Sequence, residues 1–151
     1  MQYAHRENKV RLVLDTNIVI SGLIWGGVPR QLLDLGRDGQ VTFFTSSALL
    51  DELVGVLERE KFATLLTSQK ITPTFLMQRY GMLAKLVKLR PIERTVRDID
   101  DDVVVATALA ANADIIASGD RDLLVLNPWQ EIQILNAADT LQHVLSKREV
   151  E

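Results

Sequence analysis

The feature that most constrains this chain is its alternation of short apolar runs with segments of helical periodicity. Arg11–Asp15 (RLVLD), Val41–Thr45 (VTFFT) and Asp114–Ser118 (DIIAS) have the length and side-chain type of buried strands, and Ile132–Leu135 reads as a further one. Between them lie helical stretches. Ile18-Val19-Ile20 runs from the first strand into a loop or helix start, and Gly26-Gly27-Val28-Pro29 breaks the chain before a helix over Arg30–Arg37 that ends near Gly36 or Gly39. Ser46-Ser47 offers N-cap hydroxyls to a helix through about Arg59. Glu60 to Arg90 is predicted helical in two pieces, Thr72-Pro73 opening the second and Pro91 stopping it. Asp98–Asp102 opens an alanine-rich helix to about Asn112, Leu123–Leu126 makes a short helical turn, and Ala137–Leu145 closes the pattern. Strand–helix alternation of this kind predicts an α/β fold with three layers, a mostly parallel central sheet covered by helices on both faces.

The 151 residues are the size of one domain, and with 47% apolar residues they can bury a sizeable core. No internal repeat or linker divides them. With no cysteine and only two histidines, disulfides, thiolate metal centres and histidine-rich zinc sites are excluded, so any metal must bind oxygen. No apolar run approaches the ~20 residues of a membrane helix, and the opening residues lack a secretory signal's apolar stretch, so a cytoplasmic location without membrane association is expected. The net charge of −3 argues against a nucleic-acid binder relying on Lys and Arg alone. A bound divalent cation and a local basic rim answer that objection.

In an open parallel sheet, ligands gather beyond the carboxyl ends of the strands, so acids just after strands are the ones that carry chemistry. Asp15 ends the first strand, Asp120 follows the Asp114–Ser118 strand after Gly119, and Glu52 lies on the helix leaving Val41–Thr45. Helical geometry, at about 100° per residue, sets Glu52 at the edge of the Leu49/Leu53/Leu57 stripe and turns Asp51 to water. By the same geometry Asp101 falls on the inward stripe of the alanine-rich helix, one turn before Val105, while Asp100 points away. Singly, each has a plainer reading: Asp98, Asp100 or Asp102 as a helix cap, and Asp15-Thr16-Asn17 or Gly119-Asp120-Arg121-Asp122 as turns. Together, Asp15, Glu52, Asp101 and Asp120 would repel one another at one sheet edge unless a cation reconciled them. All-carboxylate ligation suits Mg²⁺ or Mn²⁺, and such sites serve phosphoryl chemistry.

Four stretches in order carry a resemblance. They are Leu14-Asp15-Thr16-Asn17 with Ser21, then Ser46-Ser47-Ala48-Leu49-Leu50-Asp51-Glu52-Leu53, then Asp98–Asp102 leading into Ala106-Thr107-Ala108, and finally Ala113–Leu124 with Ser118-Gly119-Asp120-Arg121-Asp122. From about Val10 to Leu145 the chain resembles a PIN (PilT N-terminus) domain of the branch described as toxins of toxin–antitoxin pairs, which implies one nuclease domain over residues 1–151. The resemblance implies that Asp15, Glu52, Asp101 and Asp120 are the acidic quartet, that Asn17 and Ser118 orient the metal shell, and that Asp122 is an accessory acid. Asp102, beside Asp101, leaves the third ligand open between them. Two positions depart from the family pattern: Ile99 stands where proline is usual, and Ser118 where threonine is usual, the latter keeping the hydroxyl. The resemblance further implies a Mg²⁺- or Mn²⁺-dependent endonuclease for single-stranded RNA, a homodimer or higher homo-oligomer, and inhibition by a partner antitoxin.

Other readings compete. Arg30, Lys61, Lys70, Arg79, Lys85, Lys88, Arg90 and Arg121 are a solvated surface by default and phosphate contacts if some rim the acidic cleft. Trp25 either stacks on a base or packs within the chain or at a dimer interface. Leu76, Met77, Met82, Leu83 and Leu86 read as packing residues rather than a cofactor site. A signalling receiver domain also gathers acids at strand ends, but the expected mid-chain phosphoacceptor and late lysine are not evident. A PIN fold that binds RNA or protein without cutting is the nearer alternative.

Overall fold

The computed structural model of the chain describes residues 9–89 and 102–150, with side chains through Lys147. Among these described residues five strands form one sheet: β1 (Val10–Leu14), β2 (Val41–Thr45), β3 (Ala84–Leu86), β4 (Ile115–Ala117) and β5 (Gln133–Leu135). Their order is β3-β2-β1-β4-β5 and every pairing is parallel, which bears out the three-layer α/β/α expectation. The helices are α1 (Thr16–Ile20), α2 (Gly27–Arg37), α3 (Ser47–Leu57), α4 (Glu60–Ser68), α5 (Pro73–Leu83), α6 (Val103–Ala111), α7 (Arg121–Leu124) and α8 (Ala137–Val150). α1 runs on without a break into a π-helical turn, Ser21–Trp25, closed by the Gly26 amide donating to the Ser21 carbonyl at 2.9 Å.

Parallel strands need helical crossovers, and these leave both sheet faces apolar. Leu12 and Leu14 pack on one side of β1 with Phe43, Ile115, Leu32 and Leu57, while Val13 faces the other way onto Phe44, Ile116, Val105 and Ala108. The alternation of two cores about one strand is the period-2 pleat of a doubly covered sheet. Gly36 lets α2 lie directly on β2, since a Cβ there would meet the Phe43 ring at 2.1 Å.

One expectation fails. The chain does not stay helical to Arg90: α5 stops at Leu83, Ala84 turns to extended backbone (φ −116°, ψ 150°), and residues 84–86 pair with Phe43–Thr45 as an edge strand. Leu-Ala-Lys-Leu is good helix sequence, but the open edge of β2 offers backbone partners that override propensity. Lys85 on that edge is the charged residue that discourages further strand pairing. Arg90 and Pro91 lie outside the described residues. α6 also begins later than expected, at Val103, so its first turn holds no acid. The closing helix is longer than expected, reaching Val150. Among the described residues, no helix is long and apolar enough to cross a membrane.

Candidate metal centre at the sheet edge

The carboxyl ends of β1 and β4 lie side by side, with Leu14 opposite Ala117 and the Asp15 amide donating to the Ala117 carbonyl at 2.9 Å. That pairing carries Asp15 and Ser118 past the same edge of the sheet. Asp15 then caps α1: its Oδ1 accepts the Thr16 amide at 2.8 Å. Its Oδ2 accepts the Ser118 hydroxyl at 2.7 Å, and Ser118 Oγ in turn accepts the Asp120 amide at 3.0 Å. An amide can only donate and an ionised carboxylate can only accept, so the chain runs from Asp120 through Ser118 to Asp15. Ser118 is fully buried, and its hydroxyl is committed at both ends.

Glu52 arrives from α3, whose apolar face, Leu49, Leu53 and Leu57, is buried while Asp51 faces water, as helical geometry predicts. Its Oε1 accepts the Thr16 hydroxyl at 3.0 Å. α3 is capped by Ser46, whose Oγ accepts the Leu49 amide and meets Thr107 Oγ1 at 2.8 Å; Thr107 donates onward to the Val103 carbonyl at 2.7 Å. Because each hydroxyl has one proton, Ser46 must be the donor to Thr107. This buried relay ties the start of α3 to the start of α6 and so holds the second and third acidic segments together. At that junction Asp102 is the N-cap of α6, its Oδ1 accepting the Val104 amide at 2.9 Å.

Asp15, Asn17, Glu52, Asp102, Gly119 and Asp120 surround one open cleft of ≈ 740 Å³. Asp15 is half-buried; the other acids are exposed. Burial raises the Asp15 pKa above its ordinary value, the hydrogen bonds from Ser118 and Thr16 oppose this, and the charges of Asp102 and Asp120 add to the rise. Asp102 and Asp120 thus act on Asp15 electrostatically across the cleft.

Of the expected quartet, the fold brings Asp15, Glu52 and Asp120 to the cleft; Asp101 lies outside the described residues. Asp102 lines the cleft and caps the helix at once. Asn17 is on the rim, Ser118 sits beneath Asp15, and Asp122 is exposed in the first turn of α7, with its amide donating to Asp120 Oδ1 at 2.9 Å. Trp25 is exposed rather than packed within the chain, and among the described residues none of the expected basic side chains lines this cleft. Thr16 escaped sequence reasoning; the signal was a hydroxyl directly after the acid that ends a strand.

The donor set is all oxygen and negative, which suits a hard divalent cation. Among the described residues no three acidic side chains stand close enough to grip one ion together. That is compatible with Mg²⁺, which is commonly bound through one or two carboxylates and keeps several waters.

Residues 11–122, well over half of the chain and including all four acidic segments, match the PIN domain family. The chain belongs to the PIN-domain family. PIN domains are generally nucleases and typically use divalent metal ions. This PIN domain is also similar to the uncharacterized protein MJ1680 of Methanocaldococcus jannaschii, with 29% identity over 119 residues, covering 78% of the chain and 76% of that protein.

Proposed function

We propose that this PIN domain is a Mg²⁺- or Mn²⁺-dependent endoribonuclease that cleaves single-stranded RNA. The observation that supports it most is the convergence of Asp15, Glu52, Asp102 and Asp120, from four separate segments, on one open cleft, with the Asp15 carboxyl already under repulsion there. A cation bound among them polarises a phosphate and raises the acidity of water. Asp15 and Asp120 are the groups to hold it, Asp15 oriented through both oxygens and Asp120 through Oδ1. With Oε1 on Thr16, Glu52 has, among the described residues, its second oxygen available to take a proton from the attacking water. Asp101 and Asp102 share the role of third acid, Asp102 being the one that lines the cleft. Asn17 on the rim contacts the substrate or the ion's waters, and Asp122 stays an accessory acid.

Attack by water, not by the ribose 2′-hydroxyl, leaves 5′-phosphate and 3′-hydroxyl ends. End-labelling after incubation of unstructured RNA with Mn²⁺, with and without chelator, tests this. Cyclic 2′,3′-phosphate products in EDTA would overturn the mechanism, and binding without any cleavage in Mn²⁺ would favour a non-catalytic RNA-binding module. We further propose that the protein acts in the cytoplasm as the toxin of a toxin–antitoxin pair, in homodimers or higher homo-oligomers. A small adjoining reading frame whose product co-purifies with the protein and blocks cleavage is the expected support.

A further inference from the structure

Away from the acidic cleft, α2, α5 and the π-helical turn enclose a groove of ≈ 420 Å³ that carries three guanidinium groups, those of Arg30, Arg37 and Arg79, against one acid, Asp34. In a chain whose net charge is −3, this is an unusual local excess of cation. The three arginines have different tasks. Arg30 is committed to structure, donating to the Gly22 and Leu23 carbonyls within the π-helical turn. Arg37 pairs with Asp34 on an exposed surface, an arrangement of little net stability that can be exchanged for a better anion. Arg79 lies with its guanidinium carbon 6.0 Å from the centre of the Phe75 ring, and that ring is 49% exposed.

We propose that this groove is a second strand-binding site, gripping the phosphodiester backbone of single-stranded RNA beside the cleft while Phe75 stacks on a base. The inference rests on the ribonuclease reading above. Guanidinium groups next to an exposed aromatic ring are the combination by which proteins hold single strands without reading sequence. An acidic peptide would use the arginines but has no use for the ring. Position agrees as well: Asn17 on the cleft rim and Leu23 on the groove belong to one continuous helical segment, roughly 9 Å apart along its axis. A strand seated in the cleft can therefore continue into the groove. An acidic cleft with a bound cation holds one phosphate; the groove supplies the affinity for the rest of the strand.

The test uses two labelled oligouridylates, one long enough to reach the groove and one that fills only the cleft, with wild type, Arg37→Gln/Arg79→Gln, and Phe75→Ala. All three positions are exposed, and unchanged thermal melts establish that the variants fold. For the long strand, the double variant should raise KM with kcat unchanged and flatten the slope of log K against log salt by roughly 1.4, two phosphate contacts at about 0.7 each. Phe75→Ala should weaken long-strand binding roughly fivefold or more. Cleavage of the short strand should be unaffected in both. Wild-type salt slope and KM in the double variant, with RNA still cut, would overturn the groove and leave the nuclease reading intact. If the wild type cuts no RNA in Mn²⁺, both fall. If the double variant handles RNA normally but loses binding to polyglutamate, the groove is a protein-docking site and the RNA assignment is wrong.

Discussion

Ser118 donates its hydroxyl proton to Oδ2 of Asp15 across 2.7 Å, since an ionised carboxylate can only accept, and its oxygen accepts the Asp120 amide at 3.0 Å. One buried hydroxyl thus orients the acid at the end of β1 and the acid after β4. Replacing Ser118 by Ala removes a bond that favours the ionised Asp15, so its pKa should rise further and metal affinity should fall by roughly 10–100-fold, the scale for groups that orient metal ligands. Ser118→Thr keeps the hydroxyl and should restore most of it. Titration of Mn²⁺ by calorimetry measures both, and equal affinity in Ser118→Ala and wild type would show the hydroxyl to be merely structural.

Asp15→Asn and Glu52→Gln should each lower turnover by roughly 10²-fold or more, the size of losing a major electrostatic contribution to the transition state. Asp51→Asn is the control: one residue from Glu52 but turned to water, it should leave turnover nearly unchanged. Single-turnover cleavage rates at saturating Mn²⁺ compare the three, and a loss in Asp51→Asn equal to the others would contradict the orientation of α3.

The pH dependence of stability follows from Asp15. Its folded pKa is raised above the ordinary 3.8, so this group favours the fold in acid, and that advantage is lost as pH rises through the folded value. At neutral pH the metal-free site is therefore strained. Asp15→Asn retains an oxygen for the Thr16 amide and removes the charge, so without metal it should melt above wild type at neutral pH, the gap closing as pH falls toward 3.8. A cation that binds only the folded wild type should add about 2.7 kcal/mol at a hundredfold excess over Kd. Thermal melts in EDTA and in Mn²⁺ across this range provide the comparison; an Asn variant that melts lower in EDTA and a wild type indifferent to Mn²⁺ would remove the physical basis for a metal site.

Thr107 is tested by stability rather than by activity. Thr107→Val deletes the acceptor for Ser46 and the donor to Val103 inside the fold, which should cost about 1–3 kcal/mol, while Thr107→Ser should recover most of it. Urea unfolding with an unchanged m-value reports the difference directly. A neutral Thr107→Val would mean that the relay between α3 and α6 adds nothing to holding them together.

Much of this arrangement is legible in the residues themselves. β1, β2 and β4 are runs whose neighbours force burial on both faces, and Asp15 and Asp120 follow strands that lie next to each other. Glu52 is separated from Asp51 by the helical period alone. What could not be read depends on partners distant in sequence. β3 exists because β2 has a free edge, and its own letters favour helix. Thr16 matters because Glu52, 36 residues on, reaches it. Asp102 reaches the cleft because α6 starts at Val103, later than the run of acids suggests. The arginine groove joins α2 to α5, a juxtaposition that no local spacing encodes.

The placement of β1 at the centre of the sheet bears on how the protein is made. Asp15 is synthesised before the other acids of the cleft, yet the hydroxyl that orients it comes 103 residues later, on the far side of the last crossover before β4. At about 5–20 residues per second, a ribosome needs roughly 5–20 s to deliver that segment after Asp15 emerges. Until then the cleft lacks the wall that Gly119 and Asp120 supply. On the ribonuclease reading proposed above, a nascent chain would therefore carry no assembled cutting site beside the message that encodes it, because the site closes only once the β4 segment has been released to pair with β1.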